Sequence, residues 1–222
     1  FELAPDGTLR LAIEIPPAID LHTHFGVALL LAPAIDLSVR TPRTHYYLDC
    51  DGADPGCDLD LDVYQNANFS DAALAELNAQ MRDQLLPWGG SAARTHTLAN
   101  LLAELDAMQF QRAAVLGMAI GLPFGDHLTE QWMDAIDASP AADRFVPFAS
   151  VHPRDAGWRA KLTAFAARGA RGVKLHPEMM RFAPDDPEAM QIYAECERLG
   201  LPVIFHAGRS GIEPESIRPY AL

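Results

Sequence analysis

The second half of the chain alternates short apolar runs with stretches whose apolar residues recur at helical spacing. Four runs rich in Val, Ile and Phe end in Gly, Pro or His, as buried parallel strands do. They are residues 113–120, 144–153, 169–177 and 201–208. Their starts recur about every 30 residues, which is the length of one βαβ unit. This alternation predicts a parallel α/β architecture.

The stretches between these strands predict helices, because each presents one apolar face. The predicted helices cover residues 127–138, 155–169 and 186–200. The last is the clearest: Asp186 fits the N-cap, Pro187 the first helical position and Gly200 the end.

The first half of the chain contains one more predicted strand, after which the regular alternation of strands and helices stops. The sequence AIDLHTHFG, residues 18–26, predicts the first strand of the sheet. The preceding TLRLAIEI alternates apolar and polar residues, which predicts a surface strand outside the main sheet. A long insertion follows at about 33–95, with helices predicted over 74–85 and 98–108. We expect a single domain over residues 1–222.

Composition excludes several classes of function. The 222 residues are 49% hydrophobic and carry a formal net charge of −13, which disfavours binding to nucleic acid or to anionic lipid. No apolar stretch approaches the ~20 residues that span a bilayer, and the first residues given show no signal-peptide pattern. The 3 cysteines make no disulfide framework, although Cys50 and Cys57 could pair, so we expect a cytoplasmic protein.

An acidic loop lies inside the insertion. Its aspartates do not have the spacing of an EF-hand, which favours a solvated loop over a calcium site. A solvated loop of this kind could still reach over the site as a lid or contact a second subunit, because long loops in compact domains are often functional. The aspartates are Asp49, Asp51, Asp54, Asp58, Asp60 and Asp62.

Five of the 8 histidines stand at the downstream ends of predicted strands. They are His22, His24, His152, His176 and His206. The carboxyl ends of parallel strands are where α/β folds bind ligands, and neutral imidazole suits zinc, iron or manganese. His22 and His24 are two residues apart, so both point to one side of their strand. The pattern predicts a transition-metal site with these two histidines as ligands.

The motifs DLHTHFG, ASVHPRD, GARGVKLHP and LPVIFHAGRSG, in this order, resemble the amidohydrolase superfamily. The branch that they resemble also holds the aminocarboxymuconate-semialdehyde decarboxylase-like enzymes. The resemblance implies a distorted (β/α)8 TIM-type barrel, of which this chain supplies about the first five βα units. It also implies that His22, His24 and His206 bind a divalent metal, with zinc favoured over manganese or iron.

Lys174 shares the fourth strand with His176 and has three interpretations under this resemblance. It is a carboxylated ligand that bridges two metals, a cation that binds a substrate carboxylate or oxyanion, or half of a structural ion pair. We predict a catalytic role for Lys174 and His206. His176, His152 and Arg209 are predicted to line the pocket and bind substrate, and Asp20 either orients an imidazole or caps a turn.

The resemblance implies a metal-dependent hydrolase that attacks an amide, ester or lactone of a small, carboxylated substrate. A non-oxidative decarboxylase on the same scaffold is the first alternative, and a degenerate barrel that serves as a binding or assembly module is the second. The family pattern also includes a histidine after strand six and an aspartate after strand eight. Neither falls in these 222 residues, so we expect the sequence to be part of a longer chain or to complete its core through a partner. A homo-oligomer is compatible with the sequence.

Overall fold

The structure is a computed structural model. It describes residues 2–5, 9–26, 35–45, 75, 79, 94–121, 127–207 and 219–220. Contacts divide the chain into two compact units: Phe1–Ala18 with Gly26–Gln111, and Ile19–Phe25 with Arg112–Leu222. The single domain expected over residues 1–222 stays a prediction. None of the helices in the described ranges has the length and apolar character needed to cross a bilayer.

Among its described residues, the first unit contains a two-stranded antiparallel hairpin and one helix that is described along its whole length. Strand β1 (Glu2–Leu3) pairs with β2 (Leu9–Arg10), and helix α1 spans Leu98–Ala107. The strand expected over residues 8–15 lies outside the main sheet as predicted, but its predicted length was wrong. Beyond Arg10 the Gln109 side chain replaces a strand partner, because it accepts from the Ile15 N–H at 3.2 Å and donates to the Ile13 carbonyl at 2.8 Å.

A fully buried asparagine holds part of the insertion against α1. The amide oxygen of Asn100 accepts from Arg40 at 2.8 Å and from the Thr41 N–H at 3.1 Å, and its amide nitrogen donates to the Thr95 carbonyl at 2.8 Å. Thr97 caps the helix by accepting from the Asn100 N–H. These bonds satisfy a polar side chain that is 0% exposed, so Asn100 has a structural role.

The second unit is built on a parallel sheet with the order β3-β4-β5-β6-β7 in the described part of the chain. Its strands are β3 (Ala18–Thr23), β4 (Phe110–Leu116), β5 (Phe145–Ala149), β6 (Gly172–Leu175) and β7 (Val203–Phe205). The recorded pairs β4–β5, β5–β6 and β6–β7 are all parallel. This is the arrangement of the first five strands of a (β/α)8 barrel, as the sequence predicted.

Helices α2 (Leu128–Asp137), α3 (Trp158–Ala167), α4 (Pro177–Met180) and α5 (Pro187–Leu199) alternate with these strands. Helix α5 begins after Asp186 and ends at Gly200, whose φ of 68° is the left-handed conformation that glycine adopts readily. Its buried Ala189, Ile192 and Cys196 pack into the core of the second unit, which also includes Val173 and Leu175 of β6. The four-residue helix α4 was not predicted.

The predicted helix over 74–85 lies outside the described residues apart from two helical positions, 75 and 79. Cys50, Cys57 and the acidic loop also lie outside them. The strands that carry the predicted site are all described, although each is shorter than its apolar run. Consequently His24, His176 and His206 stand immediately after their strands, and His22 is inside β3.

Candidate active site

Two imidazoles meet at the end of β3. The alternation of side chains along a strand sends His22 and His24 to one side, while Thr23 turns inward and donates to the Ala114 carbonyl at 2.9 Å. The Nε2 atoms of His22 and His24 lie 3.2 Å apart. Their rings are edge-on, with centroids 5.1 Å apart. The pairing expected from the sequence is therefore present in the structure.

A backbone carbonyl orients His24. Its Nδ1 lies 3.0 Å from the carbonyl oxygen of Leu116, at the end of the neighbouring strand β4. A carbonyl accepts only, so Nδ1 carries the proton and Nε2 presents its lone pair beside His22. Trp132 of α2 packs at 6.2 Å from the His24 ring and at 5.5 Å from the Phe25 ring. Asp20 accepts the His22 backbone N–H at 2.9 Å, so in this structure its carboxylate orders the strand end.

A second pair of imidazoles stands at the ends of β6 and β7. The rings of His176 and His206 stack with centroids 3.8 Å apart and planes only 9° from parallel. The His206 N–H donates to the Leu175 carbonyl at 2.9 Å, which fixes the backbone where β7 ends. Glu178, in the first turn of α4, is 1% exposed. His176, Glu178 and His206 each offer one potential ligand atom, and these atoms lie within 4.8 Å of one another.

The electrostatics of the two pairs are linked. Burial lowers the pKa of His22, and Lys174 and His206 lower it further, against an opposing effect of Asp20. Burial lowers the pKa of His176 to about 3, again with His206 and Lys174 contributing and His24 adding a smaller effect. Both rings are therefore neutral at pH 7. A neutral imidazole has one nitrogen with a lone pair, which can bind a metal, and one N–H, which can donate a hydrogen bond.

Lys174 is the buried cation of this group. It is 3% exposed, and among the described residues its Nζ has no hydrogen-bond partner. Burial lowers its pKa from the ordinary value of lysine. Its backbone is fixed, because the Lys174 carbonyl accepts from the Ser150 hydroxyl at 2.8 Å. A buried amine that is held rigidly and meets no carboxylate in the described part of the chain is suited to bind a ligand anion.

The donor set fits a divalent metal. Zinc–nitrogen bonds of 2.0–2.1 Å place adjacent nitrogens of a tetrahedral site about 3.3 Å apart, and the His22 and His24 Nε2 atoms are 3.2 Å apart. His24 already presents a lone pair there, and the lowered pKa of His22 keeps that ring neutral. His206 offers a third imidazole, and its side chain contributes to the lowered pKa of His22. Glu178 offers a carboxylate oxygen within 4.8 Å of the potential ligand atom of His206.

The remaining predicted residues have different surroundings. His152 has both ring nitrogens on backbone groups: Nε2 donates to the Met180 carbonyl at 3.0 Å, and Nδ1 accepts from the Arg154 N–H at 3.1 Å. Its neutral ring therefore braces the segment that carries α4, and its role in substrate binding stays a prediction. Arg209 lies outside the described residues, so its role also stays a prediction.

Sequence reasoning did not single out Glu178. A signal for it existed, because His176 is followed by a proline at the first helical position and then by this glutamate. That pattern predicts a helix start directly at the strand end, which places the first-turn carboxylate beside the strand-end histidine.

Comparison with solved structures finds partial matches at low identity. A probable 2-pyrone-4,6-dicarboxylic acid hydrolase from Acinetobacter baumannii, with citric acid bound, is 15% identical; the match covers 87% of this chain and 50% of that one, with a TM-score of 0.44. A 5-carboxyvanillate decarboxylase from Novosphingobium aromaticivorans, with bound manganese, is 17% identical over 97% and 55%, with a TM-score of 0.47. The IDCase of Metarhizium anisopliae in its apo form is 16% identical over 86% and 50%, with a TM-score of 0.48. This chain spans about half the length of each.

A search of curated proteins found no match. A family model described as amidohydrolase, Amidohydro_2, matches residues 19–221, which include the five strands of the parallel sheet except the first residue of β3, and every histidine of the site. The family expected from the strand-end motifs is therefore confirmed. The chain belongs to the amidohydrolase family.

Proposed function

We propose that this chain belongs to a metal-dependent hydrolase that acts on a small substrate bearing a carboxylate. The observation that carries the proposal is the 3.2 Å distance between the Nε2 atoms of His22 and His24. His206 and the buried Lys174 both contribute to the lowered pKa of His22. We assign His22, His24 and His206 as the metal ligands. Zinc is our first choice of ion and manganese or iron the alternative, because imidazole nitrogen suits all three.

The residues of the site act mainly by orientation. His24 is held by its bond to the Leu116 carbonyl, so its Nε2 lone pair needs no reorganisation to bind an ion. A divalent ion bound at these nitrogens supplies Lewis acidity for the attack of water on an amide, ester or lactone carbonyl. Lys174 holds the substrate by its carboxylate, and its burial strengthens that attraction. The stacked His206 and His176 close the side of the site formed by β6 and β7.

A decarboxylase is the second candidate, and Lys174 is the observation that favours it. A buried ammonium that meets no carboxylate among the described side chains suits a substrate carboxylate, which every decarboxylation requires and hydrolysis does not. Assays would separate the two reactions. A hydrolase would form a new carboxylate from carboxylated lactones or amides, whereas a decarboxylase would form carbon dioxide from unsaturated keto-acids. A cytoplasmic location for the enzyme remains part of the proposal.

The proposed ligands are tested by metal content. The full chain is loaded with Zn²⁺ or Mn²⁺, dialysed and analysed for metal, beside His24→Ala and His127→Ala. His127 is an exposed histidine at the start of α2 and provides the matched control. We expect His24→Ala to lose more than about 100-fold in metal affinity, because even the partners that orient ligands contribute 10–100-fold. Equal metal content in the two variants would contradict the ligand assignment.

A further inference from the structure

His176 differs from His24 in the backbone group that its ring meets. The Nδ1 of His176 accepts a hydrogen bond from the Met179 N–H at 3.2 Å, which caps the first turn of α4. The Nδ1 of His24 lies instead against the Leu116 carbonyl. A nitrogen that accepts must keep its lone pair, so the neutral His176 ring carries its proton on Nε2. The two rings therefore present opposite groups: His24 a lone pair, and His176 an N–H.

This arrangement makes His176 a poor metal ligand, although its ring is near Glu178 and His206. Binding a metal through Nε2 would move the proton to Nδ1, where it would face the Met179 N–H, donor against donor. Binding through Nδ1 would compete with the Met179 N–H for the same lone pair. Either mode breaks the cap of α4, which begins at the buried Pro177. The ring is better suited to donate from Nε2.

Lys174 supplies a second donor on the same side of the sheet. It precedes His176 by two residues at the end of β6, so the two side chains leave the same face. Lys174 is 3% exposed, and its Nζ has no hydrogen-bond partner among the described residues. The stacked His206 limits the motion of the His176 ring, since the two ring centroids are 3.8 Å apart. A charged donor and an oriented neutral donor are thus adjacent.

We propose that Lys174 and His176 together bind an anionic oxygen of the substrate, with His176 acting as a neutral Nε2–H donor beside the metal ligands and not as one of them. The inference rests on the proposed function, because it assigns the substrate group that this site recognises. The ligand class is a carboxylate, which accepts hydrogen bonds from both groups. A bond to a charged partner is stronger than one between neutral groups, so loss of either donor weakens binding measurably.

Two substitutions separate the donor role of His176 from its capping role. In His176→Asn the side-chain oxygen replaces Nδ1 and keeps the cap, but no group replaces the Nε2–H. In His176→Gln the longer amide replaces the Nε2–H but not the cap. Benzoate is the probe, measured by titration with the metal-free full chain. We expect His176→Asn to melt near the wild-type temperature and to bind benzoate roughly 10-fold more weakly, as loss of one hydrogen bond to a charged group predicts.

The glutamine variant provides the reciprocal result. His176→Gln is expected to keep benzoate affinity within about threefold of wild type while its melting temperature falls, because the cap is lost. If His176→Asn instead binds benzoate as tightly as wild type, His176 is only a cap and the proposal is overturned. Lys174→Met is expected to abolish measurable benzoate binding, and unchanged binding in that variant overturns the pairing.

The protonated nitrogen is read directly by NMR. Ring ¹⁵N shifts of the labelled, metal-free chain, with His176 assigned by the loss of its signals in His176→Asn, are expected to show a proton on Nε2 and none on Nδ1. A proton on Nδ1 overturns the proposal. This measurement requires no substrate and no metal.

Metal analysis of the same variants distinguishes this inference from the proposed function. We expect His176→Asn to keep the wild-type metal content and His24→Ala to lose it. Loss of the metal in His176→Asn would show that His176 is a metal ligand. That result overturns the inference and leaves the proposed function standing. If no form of the chain binds metal but His176→Asn still loses benzoate affinity, the proposed function fails and the inference stands.

Discussion

Replacement of Lys174 by methionine should stabilise the fold while it removes the site's cation. Methionine keeps the length and the apolar stem of lysine, so the packing around β6 is retained. The change removes an amine that is 3% exposed and that has no hydrogen-bond partner among the described residues. An unsatisfied buried polar group costs about 1–3 kcal/mol, so we expect the free energy of unfolding to rise by about 2 kcal/mol. For a chain of this size that corresponds to roughly 4–8 °C in melting temperature.

The assay is urea denaturation of the metal-free chain at constant pH, followed by circular dichroism, with an unchanged slope required for comparison. Lys161→Met is the matched control, because the Lys161 Nζ pairs with Asp155 at 2.7 Å and its side chain is 38% exposed. Loss of such an exposed pair should cost no more than about 1 kcal/mol. If Lys174→Met is destabilised by about 3 kcal/mol or more, Lys174 is half of a structural ion pair, and its assigned role in binding is wrong.

Three further predictions concern the scaffold. Gly172→Ala would place its Cβ in a steric clash with the ring of Phe148, its register partner on β5. We expect a loss of about 1–3 kcal/mol of stability that the added Phe148→Leu partly recovers; no recovery would contradict this contact. Cys196 is 1% exposed and burial raises its pKa to about 11, so iodoacetamide at pH 8 should label its peptide only after denaturation, as mass spectrometry would show. Burial lowers the pKa of His96 to about 4 from 6.5, so protonation favours the unfolded chain. The contribution of His96 to stability should therefore be complete above pH 6.5 and fall by roughly 3 kcal/mol toward pH 4, and an equally steep fall of stability in His96→Gln would refute this cause.

The local pattern of the sequence was sufficient for the fold class and for the position of the histidines. Apolar runs spaced about one βαβ unit apart predict parallel strands, and the end of each run predicts the rim at which His22, His24, His176 and His206 stand. The start and end of α5 could also be predicted from neighbouring residues alone, namely Asp186, Pro187 and Gly200. The surface strand was overextended, because the alternation over residues 8–15 does not reveal that the Gln109 side chain takes the place of a strand partner.

The different roles of the imidazoles depend on tertiary structure. A free histidine side chain offers either tautomer, and the group that Nδ1 meets decides which one is held. For His24 that group is the Leu116 carbonyl, 92 residues away in the chain. For His152 it is the Arg154 N–H, two residues away, and the Met180 carbonyl, 28 residues away, accepts from Nε2. For His176 it is the Met179 N–H, only three residues away. The sequence by itself determined where the histidines stand, and the folded backbone decided which of them present a lone pair and which a proton.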